Sequence, residues 1–549
     1  MSLRWINVRA GAAAHNWNYL AGEVPFADRP WEEIDMVVST RRQFLAGVTA
    51  LAGASGDSAL LVGGRGLASN DTFANSLRIP ALDEGKLAGG ERTFMLAARP
   101  GTMEFQRGRQ TPTIGVNAPF LGPVLRFKAG DRVRIDTRNA LGFDTTVHWH
   151  GLHLPAAMDG GPHQVIKPGA TWVSSFEVKQ KAGFFWYHSH LMDHTGEQVN
   201  LGLAGPIIVD DTESTALGLP SEYGVDDIPL VIQDRRFLAD GRFDYRLTMH
   251  DMMAGYKGNV ILVNGTVSPH LVLQRRRTRL RLLNASSSRF YNIGLEGNRT
   301  ITQIASDGSL LERPVVRRRV RLSPGERAEI LVEVEPGATV LLMSYPDQPG
   351  GAGRGMMMGM AGNTETFPIL QLRAGTSKAI DPPLPTRLAE VPSWDPRKAD
   401  RERSFVLEMG MMGMGMGMGM GGRGQGRGGM GGMRGMDGTM TINGKSMDMA
   451  RIDERVPLGS TEIWTIRNAS PLAHPFHIHL VQFRILDRDG RPAPDYERGL
   501  KDTVLVDPGE TVRVIAKFED YADPDHAYMY HCHILEHEDM GMMGQFVVA

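Results

Sequence analysis

This 549-residue chain contains one cysteine, Cys532, so it can form no internal disulfide. It has no run approaching 18 consecutive apolar residues, which excludes a membrane-spanning helix on the usual length argument. It also has no excess of charge of either sign: the formal net charge is −2, and neither a basic stripe nor an acidic tail points to a nucleic-acid partner. The run RRRTRLR at 275–281 is locally basic, and its alternation predicts the exposed face of a strand rather than a binding patch.

Histidine is what the chain has, and it is grouped. Cys532 sits between two histidines in HCHILEHEDMGMM, with His537 five residues on and Met542 ten residues on. A thiolate, an imidazole and a thioether are three of the four ligands of a mononuclear copper centre, and a second histidine must come from elsewhere. Three further clusters are HWHG (His148, His150), WYHSH (His188, His190) and HPFHIH (His474, His477, His479). With His531, His533 and His537 they use ten of the seventeen histidines.

The flanks TTVHWHG, FFWYHSH, AYMYHCH and PFHIHLVQF are aromatic and β-branched, so strands are expected. Side chains two apart on a strand share a face. His148/His150, His188/His190, His477/His479 and His531/His533 then form four same-face pairs, eight imidazoles for one polynuclear site. Cys532, one residue from each neighbour, faces the other way, and His474, an odd three residues before His477, can join it. Cys532 thus stands between two sites. A closed zinc site is the competing reading, but about four ligands satisfy zinc and most of these histidines would be left over.

These four segments resemble the four copper-binding motifs of the multicopper oxidases, the family of laccases, bilirubin oxidase and the bacterial copper-efflux oxidase, and the resemblance covers about residues 90–549. It implies an all-β chain of three cupredoxin-like Greek-key sandwiches and four copper ions. By that resemblance the type 1 copper takes His474, Cys532, His537 and axial Met542, with Met543 the less fitting neighbour. His148 and His477 match the type 2 ligands. One type 3 copper matches His150, His188 and His533, the other His190, His479 and His531. Asp159, in MDGGPH, matches a carboxylate near the type 2 copper, and Glu538 an acid on the proton path; a Gly-Gly turn residue and a solvated or capping carboxylate are the alternatives. Retention of all ten histidines argues against the copper-free relatives that serve as cell-division scaffolds. His153, His163 and His194 fit no ligand position.

The expected organisation is an N-terminal extension and signal over 1–54, sandwiches over 80–212 and 213–375, a Pro-rich linker over 376–403, and a third sandwich over 404–549. FKAGDRVRIDTRN, RRRTRLRLLNAS and LGSTEIWTIRNAS form a weak internal repeat, each a strand ending in Asn. The middle unit carries no ligand cluster, and its His250 and His270 are read as structural or exposed. STRRQFLAGVTALAGASG, with Arg41 and Arg42 and A-x-A at 52–54, resembles a twin-arginine export signal and implies a periplasmic protein. Met36 would be a natural start, and the expectation for residues 1–35 is an over-extended gene start or an unusual leader.

Thirteen of the 31 methionines fall between Met409 and Met449, inside a Gly/Met-rich insert over 409–440, and Met356, Met357, Met358 and Met360 form a second run. Thioethers suit Cu(I), so Met409, Met411, Met412, Met414, Met416, Met418 and Met420 are candidate ligands for substrate Cu(I). The alternative is a flexible low-complexity loop or a sacrificial oxidant trap. The high glycine content disfavours the stable helix that copper-efflux oxidases carry here. Where those oxidases place Asp and Met ahead of the first type 1 histidine, this chain has Ser470-Pro471-Leu472-Ala473. The expected activity is one-electron oxidation of Cu(I), or of phenolic or aromatic donors, coupled to reduction of O2 to water, in copper tolerance. A laccase acting on phenols or aromatic amines is the alternative, and a non-catalytic copper-sequestering protein the alternative of another class. A monomer is expected.

Overall fold

The computed structural model describes residues 73–346, 365–376, 381–410 and 440–549. The twin-arginine segment with its 35-residue leader, the methionines at 356–360 and those at 411–436 lie outside the described residues. Among the described residues no helix is long and apolar enough to cross a membrane.

Six sheets pair into three sandwiches. Each closes on its own apolar core: around Phe94, Ile135 and Trp149 in the first, around Leu282, Ile330 and Leu372 in the second, and around Trp464, Phe476 and Phe546 in the third. The chain enters by way of the middle sandwich: Asn75–Ser76 lies beside Pro269–His270, and Leu82–Asp83 then joins the first. At the other boundary Arg401 already begins a strand, Arg401–Met409, of the third sandwich.

The weak sequence repeat is a structural one. Arg132–Asn139, Arg277–Asn284 and Thr461–Asn468 each run parallel to the first long strand of their sandwich and antiparallel to a later one. Each ends in a buried asparagine that clamps the next loop. The Asn139 Nδ2 group donates to the carbonyls of Phe143 and Ile166 while its Oδ1 accepts from Leu141 N. Asn284 does the same with Arg289, Leu322 and Ser286, and Asn468 with Leu472, Val506 and Ser470. A buried side-chain amide that satisfies three backbone groups fixes the loop it spans. In the first and third sandwiches that loop leads straight into His148 and His474.

The arginine run departs from expectation. Arg279 and Arg281 are buried, not exposed. Arg281 makes a two-pronged pair with Asp227 (2.6 and 2.8 Å) and reaches Glu329 at 2.8 Å, while Arg279 Nε donates to Glu329 at 2.7 Å. The neutralising carboxylates come from the flanking strands, about fifty residues away in sequence, and no local pattern announces them.

Candidate metal centre

Cys532 ends the strand Asp523–Cys532, which pairs antiparallel with His474–Ile478 in the register Phe476↔Cys532 and His477↔His531. Residues directly opposite in an antiparallel ladder share a face. Cys532 therefore projects with Phe476 and His474 to one side, and His531 with His477 to the other. One peptide unit separates two buried clusters.

On the thiol side, Cys532 Sγ lies 3.3 Å from His474 Nδ1 and 3.7 Å from His537 Nδ1, and the two nitrogens are 3.3 Å apart. The outer nitrogens are tied back: His474 Nε2 meets Ser470 Oγ at 2.7 Å, and His537 Nε2 donates to Met253 O at 3.1 Å. Such outer bonds fix tautomer and ring direction, so both Nδ1 atoms face the sulfur. His537 is carried by the short helix Leu535–Asp539, whose return brings Met542 O to accept from Cys532 N at 3.0 Å. The Met542 side chain lies in the same core as Cys532, whereas Met543 lies in a separate cluster with Met529. Burial pushes the thiol up and the imidazoles down, His537 to about 4.

On the other side the eight paired histidines converge, all buried. His148 stacks on His479 at 3.9 Å between ring centres and His150 on His477 at 3.8 Å, joining a ring of the first sandwich to one of the third. His190 Nε2 and His479 Nε2 each lie 3.3 Å from His531 Nε2. His150 Nδ1 lies 3.4 Å from His188 Nε2, and the His533 ring sits 5.0 and 5.3 Å from those two rings.

The outer nitrogens again find oxygen: His148 on Asp159 O (2.9 Å), His188 on Ser189 O (2.8 Å), His477 on Asp502 O (2.8 Å), His531 on Cys532 O (3.1 Å) and His479 on Asp159 Oδ2 (2.6 Å). The inward His148 Nε2 and His477 Nε2, and both nitrogens of His533, are buried without a hydrogen-bond partner. Unpaired buried imidazole nitrogens are costly, and a cation that takes neutral imidazole removes the cost. The donor sets match copper: one thiolate with two imidazoles on one side, imidazoles alone on the other.

Two acids flank the eight-histidine cluster. Asp159 bridges His148 and His479, and burial raises its carboxyl well above the usual range. The Glu538 oxygens lie 3.1 Å from His190 Nδ1 and from His531 Nδ1. His153 pairs with Asp520, His163 contacts Gln545 and His194 stands exposed beside Glu197, all outside both clusters. His250 is exposed, and His270 donates to Phe73 O. Of the candidate Cu(I) methionines only Met409 is described: it faces Met440 across the ladder and packs on the core that holds Cys532.

Sequence reasoning missed Ser470, Asp502 and Arg327. Asp502 Oδ1 lies 3.0 Å from His150 Nε2, and Arg327 from the middle sandwich grips both its oxygens at 2.7 and 2.5 Å. The same guanidinium donates to Phe184 O and Asp307 O, so the sandwich without ligands braces the cluster built by the other two. No spacing rule singles out one arginine or one aspartate at such separations. Arg327→Met would leave Asp502 buried without its cation and should cost about 3–5 kcal/mol. Thermal unfolding of the copper-free protein measures this, and an unchanged melting temperature would remove the bracing role.

The comparisons agree with the geometry. Residues 97–214 and 430–549 match models of the multicopper oxidase family. A multicopper oxidase of Staphylococcus aureus is 35% identical over 86% of this chain and 93% of its own length. The cell division protein FtsP of Pectobacterium atrosepticum is 32% identical over 86% of this chain and 92% of its own. The solved laccase-like multicopper oxidase of an Ochrobactrum species superposes with a TM-score of 0.74 at 34% identity, over 86% of this chain and all of that one.

Proposed function

Since this chain belongs to the multicopper oxidase family, we propose that it is an active oxidase with four copper ions, coupling one-electron oxidation of Cu(I) to the four-electron reduction of dioxygen to water. In this reading His474, Cys532, His537 and Met542 hold the type 1 copper. His148 and His477 hold the type 2 copper, His150, His188 and His533 one type 3 copper, and His190, His479 and His531 the other. Bound copper supplies the one-electron steps that neither imidazole nor thioether can perform.

The observation that carries the reading is the Cys532 junction. Its sulfur lies in one cluster, its carbonyl accepts from His531 Nδ1 at 3.1 Å, and His531 and His533 lie in the other. An electron at the sulfur has a covalent path of one residue, shortened by that hydrogen bond. Burial keeps water from both clusters, and Glu538 and Asp159 stand where protons must be delivered. FtsP relatives mean that membership alone does not make an oxidase; the ten convergent histidines and the thiol support one. Sequestration of copper requires no such wiring.

Cu(I) is favoured as donor by what covers His537. The helix Met249–Ala254 supplies the carbonyl bonded to His537 Nε2 and carries Met249, Met252 and Met253, while Met409 and Met540 pack nearby on the core. Soft thioethers at the point of electron entry suit a soft cation better than a phenol. The methionine-rich sequence of the insert over 409–440 supports the same donor, the twin-arginine resemblance supports export to the periplasm, and the proposed task is copper tolerance. Oxygen uptake with Cu(I) and with a phenol tests the donor: deletion of 410–436 should lower the first and spare or raise the second. Unchanged Cu(I) kinetics would remove the metal role of the insert, and no uptake with any donor would favour sequestration.

The copper-free protein should be acid-sensitive. His188 and His537 are held at about 4 by burial against an unfolded value near 6.5, so the unfolded chain binds more protons between those limits. Their contribution is therefore fully present above pH 6.5 and is lost as pH falls toward 4, by about 3 kcal/mol for each. Glu536 and Asp307, raised by burial to about 7 and about 6, act in the opposite sense, but the further cluster histidines that burial lowers outnumber such acids. Melts of metal-free protein at pH 7 and pH 5 check this; a melting temperature that holds or rises on acidification contradicts it.

A further inference from the structure

Outside both clusters lies a small apolar group unlike the main cores. Met529 and Met543 are buried beside Ala527 and Val547, with Met192, Met447 and Ile452 packed against them. Four of these seven residues are methionine, against five of thirty-five in the main core of the same sandwich and its packed neighbours. Branched aliphatics fill such a space as well and specify it better, so packing does not call for this composition.

Its position does. Met543 is the ladder partner of His531 and shares its face. Met529 lies two residues before His531 on the same strand face, and its carbonyl accepts from His479 N at 3.0 Å. Met192 follows His190 by two residues. Met529 and Met543 thus stand on the strand face of His531 and Met192 two residues from His190, while Met447 packs against the same apolar group. His190, His479 and His531 have donor atoms within 4.8 Å of one another. Met192 and Met447 are half-buried, and Met192 also lines a surface cavity of about 590 Å3 with Leu191, Glu197 and Gln198. Gln198 Oε1 accepts from Ser189 Oγ at 2.7 Å, so the wall of that cavity is one side chain from the His188/His190 segment.

We infer that Met192, Met447, Met529 and Met543 form a Cu(I) way-station by which the ion passes from the surface to His190, His479 and His531. The inference rests on the reading of those histidines as copper ligands. Thioethers are neutral and soft, so they suit Cu(I) and take it with no proton to release. The ion moves by ligand exchange, keeping its single charge, and no electron is transferred. The eight histidines are fully buried, and a hydrated ion cannot reach them through a packed core.

The test is metal loading, not activity. Full-length copper-free protein receives Cu(I) under nitrogen from a competing chelator, and native mass spectrometry counts bound ions over time. Met192→Leu with Met447→Leu keeps volume and removes the two outer sulfurs. The variant should load its histidines about tenfold more slowly and reach the same final complement. Once filled with copper, the wild type should take one more Ag(I) than the filled variant. Equal loading rates with equal Ag(I) uptake would overturn the way-station. A wild type that takes no copper into its histidines would instead overturn the reading beneath it.

Discussion

Cys532→Ser should leave a folded, colourless protein with no oxidase turnover. Serine is close in size, and its hydroxyl inherits the partners of the sulfur, Ile534 N at 3.5 Å and His474 Nδ1 at 3.3 Å, so the core around it survives. The lost quantity is electronic. The blue band belongs to a thiolate donor, and a hard hydroxyl neither produces it nor offers a covalent route to His531 and His533. Members of a unit that works only together lose nearly everything when one goes, so turnover should fall by about three orders of magnitude or more. Visible absorption and oxygen uptake of the copper-loaded variant decide it, and substantial turnover without the thiol would mean that electrons enter the eight-histidine cluster by another path.

Glu538→Gln should produce the second large loss, with the opposite spectroscopic signature. The carboxyl stands 3.1 Å from the outer nitrogens of His190 and His531, two rings of the cluster that, in the proposed function, receives four protons per dioxygen. Glutamine keeps the shape and one acceptor but cannot carry a proton, so turnover should fall about 10²- to 10⁴-fold. Copper content, blue colour and the rate at which the donor bleaches that colour under nitrogen should stay as in the wild type. Equal turnover would reduce Glu538 to a brace for the two rings; a loss of copper would make it a positioning residue for the metal.

The clusters were legible in sequence because strand alternation is a strict local rule. Of the four pairs only His148 and His150 lie wholly on a strand, while His190, His479 and His533 fall just past the ends of theirs. The ladder between His474–Ile478 and Asp523–Cys532 sets Cys532 with Phe476 and His531 with His477. The repeat of three strands ending in Asn was legible for a like reason, but the clamp that each Asn makes on its loop was not. The alternating arginines misled because alternation reports which side a residue faces, not what covers that side; Asp227 and Glu329 cover it. Ser470 and Asp502 were invisible because an outer bond to an imidazole leaves no mark in spacing. Arg327 belongs to the sandwich that carries no ligand motif, which gave no reason to look there.

The pairing of His150 with Asp502 across 352 residues also sets a schedule. At ordinary synthesis rates the ribosome needs roughly 20–70 s to traverse that distance. Through that interval the histidines of the first sandwich exist without the strands that complete their cluster. The segment closing both clusters, from His531 to Met542, is made later still than Asp502. A chain that has reached Met542 is therefore the earliest object that can take the full complement of metal proposed for it, and the order of assembly is written into where the paired histidines fall along the polypeptide.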